Sequence, residues 1–443
     1  MKGDFTRDTF DPAKQYSRVL MQQGRVQLDA DWNEQTAILL SYMRALTRDL
    51  FGPAAGPKEG CGFEIKVNGS ALSIGPGRYY VNGIPVTCAA DEQLYSKQLG
   101  YPFDEATKID PPKETLKTGP WLAYLDVWEA FVCNAQDDHI RESALGGPDT
   151  CGRAKVMWQV RILINPAKDC DSVASWTSTG TGALKARAKQ DGKPDELCVI
   201  APDSQYRGAE NQLYRVEVHR GSAVKPDGKP ANPANNASSG ATFKWSRDNG
   251  SVIFPIRTLA GNIAELEHLG RDGRSTLTEG DWVEMIDDAM AARSGVGLLA
   301  QVNEINRDDR MVTLKLPAGV TALPAYPRKD ADVHPLLRRW DHVGDLTKAE
   351  GALEIVVEDK WIALDDGVEV QFSKTGEFRA GDYWLIPARV ATGDVEWPGA
   401  PDNPGAKPPD GPHHYYAPLM LMKGGTPADC RCCVERLKCM SKT

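Results

Sequence analysis

The sequence lacks any run approaching the ~18 consecutive apolar residues that a membrane-spanning helix requires. Its first ten residues, MKGDFTRDTF, lack the apolar core of a secretory leader, so synthesis in the cytoplasm without a signal peptide is expected. A basic stripe is missing as well. Acidic residues number 61 against 52 Lys and Arg, giving a net charge of −9, which argues against nucleic acid or an anionic membrane as partner. No nucleophile elbow, P-loop, HExxH helix or dinucleotide fingerprint occurs. The glycine-rich GGPDTCG, Gly146 to Gly152, has neither the Lys nor the strand-to-helix context of a phosphate cradle. These absences point away from an enzyme, and no catalytic or cofactor-binding residue is nominated.

What is present suits a β protein. With 443 residues the chain is long enough for two or three domains. Its 41 Gly and 30 Pro predict frequent turns and few long helices. The fold expected is mainly β with an N-terminal arm and short helix, followed by two β-sandwich or barrel-like regions. The composition divides it serially: arm and helix over 1–55, a first β-rich domain over 56–225, a flexible polar insert over 226–241, a second β-rich domain over 242–397, and a Pro-rich segment with a Cys-rich tail over 398–443.

The N-terminal stretch VLMQQGRVQLDADWNEQTAILL changes character at LDADWNE. Residues 1–28 carry breakers at Asp11-Pro12 and Gly24, with apolar residues too scattered for a core element. Asp31 then suits a helix N-cap with Glu34 three residues on, an acidic capping box that also complements the helix dipole. A calcium loop would need a turn glycine and a distal bidentate Glu, both missing here. Beyond the cap, Trp32, Thr36, Leu39, Met43, Leu46 and Leu50 recur at alternating steps of four and three until Gly52-Pro53. That spacing predicts one narrow apolar seam on a helix. A helix of this length is marginal alone, so the seam is expected to bury itself against protein. Trp32, Leu39, Met43, Leu46 and Leu50 are the candidate oligomerisation residues.

Strands follow. Alternation in GFEIKVNGSALSIGPGRYYVNGIPVTC, with reversals at Asn68-Gly69 and Asn82-Gly83, predicts two hairpins. WLAYLDVWEAFVC and AKVMWQVRILI read as central strands, and NQLYRVEVHR as another. A second series comprises ATFKWSRDNGSVIFPI with a turn at Asn249-Gly250, GDWVEM, a hairpin turning at Asn306 to Arg310, DGVEVQF and DYWLIPARV.

Four clusters could carry chemistry. Cys430, Cys432, Cys433 and Cys439 supply the four thiolates of a tetrahedral zinc site, yet C-x-C-C-x5-C is not a paired C-x2-C knuckle. Disulfides and free thiols on a frayed tail compete with zinc, and with ten cysteines and no leader a reducing compartment is expected to keep thiols free. His413-His414 would point to opposite faces of a strand. The acid pairs Asp137-Asp138, Asp287-Asp288, Asp308-Asp309 and Asp365-Asp366 read as turn acids on a solvated face. Trp245, Trp282, Trp340, Trp361 and Trp384 could stack on sugars, although half-buried strand tryptophans are the commoner case.

Several blocks together resemble one family. MKGDFTRDTFDPAKQYSRVLMQQGRVQLDADWNEQ, LDVWEAFVC, IRESALGGPDTCGRAKVMWQV, TFKWSRDNGSV, HPLLRRWD, GDYWLIPAR and PPDGPHHYYAPLMLM are similar to proteins encoded near phage tail genes and extracellular contractile injection systems. The resemblance implies a tail-fibre or baseplate-associated structural part, incorporated into a virion-like or injection particle. Its partners would be other particle components and further copies of itself, in a homotrimer. The alternatives it leaves open are a carbohydrate- or surface-binding module and a carried toxin or cargo. It brings no catalytic residues, and the cysteine-rich tail after Leu421 lies outside it.

Overall fold

Asn-Gly reversals and alternating apolar residues give a mainly β chain with one long helix near its start. The computed structural model describes residues 1–69, 71–89, 91, 93–101, 113–188, 205–222, 240–326, 333–348, 350–356 and 360–435. The polar insert expected over 226–241 therefore lies, up to residue 239, outside the described residues.

The chain forms two units, and neither is continuous in sequence. One contains 8–130, 154–178 and 413–443; the other contains 1–7, 131–153 and 179–412. This departs from the serial division expected from composition, because long-range strand pairing, not chain order, decides which segments share a core.

In the helix-bearing unit, both predicted hairpins form. Ile65–Asn68 pairs with Ala71–Ile74, and Gly77–Val81 with Ile84–Cys88. Asn82 and Gly83 both take positive φ, 50° and 80°, as a primed two-residue turn requires. Gly83 has a second duty. A Cβ there would lie 2.5 Å from the carbonyl oxygen of Arg44, so only glycine lets the helix come this close.

The main sheet of this unit runs Thr426–Asp429, His414–Lys423, Trp121–Val132, Arg153–Ile164. Trp121–Val132 is central as expected, while Arg153–Ile164 ends the sheet. Trp121, Ala123, Leu125 and Val127 face one way, onto Tyr79, Val81, Ile84 and Val86. The strand His414–Lys423 lies within the stretch that the sequence reading described only as a Pro-rich segment and Cys-rich tail. Leu419, Met420 and Met422 are buried there, behind a Pro-rich lead-in that hides the strand's pattern.

The other unit holds a sandwich and a barrel. Strands Thr242–Ser246, Gln212–Arg220 and Tyr383–Arg389 lie side by side in a five-stranded sheet. Their inner residues Phe243, Val216, Val218 and Trp384 pack on Val368, Val370 and Phe372 of a three-stranded sheet that includes Leu184–Ala188. Gln212–Arg220 thus belongs with strands 30 to 170 residues downstream, not with a separate first domain. Six strands close the barrel: Ile253–Ala260, Ile263–Leu266, Met311–Lys315, Leu298–Asn306, Trp282–Ile286 and Leu336–Trp340. Its interior is filled by Phe254, Leu266, Val283, Met285, Val302 and Leu337, so it is a packed core rather than a channel.

Residues 1–7 also belong to this unit. The sequence reading placed them in an extended arm with no core role. The structure buries Gly3 and docks Lys2 against a buried carboxylate.

Candidate functional site

The helix α1 spans Asp29–Phe51, beginning three residues before the expected start. Leu28, not Asp31, is the N-cap. Asp31 occupies the third helical position and its carboxylate accepts the Leu28 N–H at 3.3 Å. With Asp29 also in the first turn, two carboxylates sit at the positive end of the dipole. The arm before it touches the helix at few points. Thr9 Oγ1 donates to Glu34 at 2.5 Å, and the Val19 N–H donates to the Gln35 side-chain Oε1 at 2.9 Å. Between arm and helix lies an open cleft of about 400 Å³ bordered by Phe10, Tyr16, Ile38 and Tyr42.

The two faces of α1 are arranged opposite to those of an ordinary surface helix. Its polar side faces the β body. Arg44 reaches Glu129 at 2.8 Å, Arg48 reaches the Asn82 amide oxygen at 3.3 Å, and Phe51 stacks on Tyr80. Only Ala30 and Ile38 are buried on this side. The seam predicted from the sequence faces outward: Trp32 is 78% exposed, Leu39 54%, Met43 66%, Leu46 61% and Leu50 63%. Thr36 and Thr47 do not interrupt it, because each hydroxyl donates back to the carbonyl four residues earlier, at 3.2 and 2.8 Å. From Trp32 to Leu50 the stripe is uncharged and runs ~27 Å along the axis. Leu40 and Tyr42 widen it. Ordinary amphipathic helices turn this stripe to their own core.

The four tail cysteines are not gathered into one site. Cys430 forms a disulfide with Cys170, and Cys433 with Cys61. Cys432 is an exposed thiol, and Cys439 lies outside the described residues. Two members of the expected zinc set thus have bonded sulfurs and point to different partners. The same bonds correct the expectation of free thiols at Cys61, Cys170, Cys430 and Cys433, while Cys88, Cys133, Cys151 and Cys432 are free. The tail is sewn down in other ways too. Cys433–Val434 pairs in parallel with Ala54–Pro57, and the Arg431 guanidinium donates to the carbonyls of Cys61 and Gly62 at 3.2 and 3.0 Å.

The remaining sequence candidates are structural. His414 sits on a strand, its Nδ1 2.7 Å from Asp126 Oδ1 and its ring stacked on Trp128. Trp245, Trp282, Trp340 and Trp384 are buried; Trp361 is half-buried under the Arg187 guanidinium. Asp137 and Asp287 cap short helices by accepting the N–H groups of His139 and Met290, and Asp309 accepts from Asn306 in its turn.

A buried ionic cluster went unseen in the sequence. The outer face of Gln212–Arg220 carries Arg215, Glu217 and His219 into the interior of its unit, where Lys244 and Glu284 meet them. Glu284 accepts from Lys244 at 2.6 Å, from Trp340 Nε1 at 2.8 Å and from the Gly297 N–H. Burial pushes Glu217 upward, but Lys2, Arg215 and Lys244 outweigh it and hold the carboxyl down at about 2. Burial pushes Lys2 down to about 8, and His219 and His342 down to about 3. His342 is closed off from solvent against the Trp282 ring, with the Gly351 backbone beside it. Nothing in the local pattern of FKWS or WVEMI marks Lys244 and Glu284 as buried; here both side chains are covered. Among the described residues no group of three or more His, Cys, Asp or Glu is placed to hold a metal ion.

Compared with known proteins, the chain matches one family model over residues 1–176 and 170–442, a family of unknown function designated DUF6519. The chain belongs to that family. No curated protein and no solved structure matches it.

Proposed function

We propose that this DUF6519 member is a structural, non-catalytic component of a phage-tail-like or contractile-injection particle, and that it assembles with copies of itself through α1. The observation that carries the reading is the inverted helix: arginines against the body, an uncharged Leu/Met/Trp stripe toward solvent. Each such side chain gains ~1.5–3 kcal/mol when fully covered. A second copy of the same stripe is the simplest cover, since alternating four-three spacing packs knobs into holes and no like charges oppose each other. The particle and the preference for a trimer rest on the resemblance of the N-terminal block to tail-fibre and baseplate parts. Neighbouring particle components would then be further partners.

The saccharide-binding alternative is less well supported, because four of the five tryptophans it would use are core residues. Light scattering tests the main reading. A mass that is a multiple of 48.5 kDa is expected, falling to that of one chain in Leu39→Asp/Leu46→Asp with the circular dichroism unchanged. An unaltered mass in that variant would remove α1 from assembly.

A further inference from the structure

Residues 1–7 occupy a built socket. The Met1 nitrogen donates to the Tyr383 hydroxyl at 3.0 Å, and the Met1 carbonyl accepts from Arg215 and from Asn249 Nδ2 at 3.4 and 3.1 Å. The same Asn249 amide donates to the Gly3 carbonyl at 2.8 Å. Between these anchors the Lys2 ammonium enters the ionic cluster, 2.9 Å from Glu217 Oε1 and over the Trp340 ring. Gly3 leaves room for two rings: a Cβ would lie 2.7 Å from the tip of Phe5 and 2.9 Å from the tip of Phe131, so a side chain there must displace them. Farther on, Arg389 donates to the Thr6 carbonyl at 2.9 Å and Arg7 pairs with Glu396 at 2.7 Å.

This segment makes no strand pairing, and its recognition resembles that of a bound peptide. Main-chain carbonyls are read by an amide and guanidinium, one cation enters a carboxylate pocket, and one position admits a side chain only if two rings move. It is also loosely tethered. Residues 11–18 and 20–28, which lead from it to the helix, are all exposed. The 21 residues from 8 to 28 can span up to ~70 Å when extended.

We propose that the socket formed by Arg215, Glu217, Asn249, Tyr383 and Glu396 is a peptide-binding site specific for a Lys-Gly-containing segment, and that in an assembly it receives residues 1–7 of a second copy. Exchange of this kind reuses every intrachain contact and needs no new surface. It is independent of the stripe on α1.

The test uses full-length protein carrying Lys2→Glu, which disables its own segment, and the peptide MKGDFTRDTF supplied in trans. Calorimetry should show binding and the melting temperature should rise toward wild type. The same peptide with Lys2→Glu or Gly3→Leu should bind at least ~10-fold more weakly, the loss expected for a charged hydrogen bond. If the Lys2→Glu chain does not fold, Lys2→Met keeps the stem and serves instead. No binding at millimolar peptide overturns the site. For the second copy, chains with Arg7→Cys and chains with Glu396→Cys are co-expressed and treated with a bismaleimide long enough to replace the two side chains; a covalent dimer absent from either variant alone is expected. A cross-link found only within a chain carrying both substitutions overturns the exchange. Because Leu39→Asp/Leu46→Asp should leave peptide binding intact, failure of the socket and failure of the helix contact are separable.

Discussion

The Lys244 ammonium lies 2.6 Å from the Glu284 carboxylate with neither side chain exposed to solvent. Glu217 stands 3.4 Å away, and the ammonium also lies 4.5 Å from the centre of the Trp340 ring. Such a pair is costly to break, since removing one partner strands a charge out of water. Lys244→Met should therefore lower stability by ~3–5 kcal/mol in urea unfolding. Lys244→Met/Glu284→Gln should recover part of the loss. A single variant within ~1 kcal/mol of wild type would show that the charges find other compensation.

Acid should weaken this unit well above the range where carboxylates titrate. His219 and His342 have folded values near 3, burial being the main cause, against 6.5 in the open chain. Between those values the unfolded state binds more protons, so stability is full above pH 6.5 and falls as pH drops below it. Glu217, near 2 when folded, adds a loss in the same direction as pH falls from 4.5. Asp382 works oppositely. Burial raises it to about 6, so between 6 and 3.8 acidification favours the fold. Two large histidine shifts outweigh one smaller aspartate shift. The urea midpoint should be lower at pH 5 than at pH 7.5, and His219→Phe/His342→Phe should flatten the difference. A midpoint independent of pH would contradict the burial of these rings.

The two faces of α1 should respond differently to truncation. Ile38 is 2% exposed in the single chain, so Ile38→Ala should cost ~2–5 kcal/mol of unfolding free energy. Leu46→Ala, on the outward stripe, should leave the unfolding of the separated chain within ~0.5 kcal/mol while weakening self-association. Equal losses at both positions, measured at a concentration where the chain is a single copy, would show that the stripe packs within its own subunit.

The tail should behave as a disulfide-fastened strap. Peptide mapping without reductant should recover Cys61 with Cys433 and Cys170 with Cys430. Reduction should cost ~2–5 kcal/mol and open Arg431 to trypsin, because the paired strand Cys433–Val434 loses its anchor. Stoichiometric zinc in the purified protein, with all four of those thiols reduced, would overturn the bonding.

Much of the strand content was legible because its signals are local. Asn82-Gly83 specifies its turn by backbone conformation, Gly69 marks the other reversal one residue beyond the paired Asn68, and the alternation beside them fixes which residues face the core. The start of α1 was misplaced by three residues because LDADWNE offers several acids at neighbouring positions, each able to cap, whereas Leu28 takes the N-cap. Its seam was legible as a spacing, but spacing does not say which way a helix is turned.

The sequence by itself determined the β character, the N-terminal helix and its apolar stripe, since these follow from the conformational preferences and periodicity of adjacent residues. Tertiary structure alone decided that the stripe faces outward, that Lys2 reaches Glu217 across 215 positions, and which cysteines join. Those relationships depend on which distant strands pair, and the burial of Lys244 and Glu284 depends on the layer that covers them.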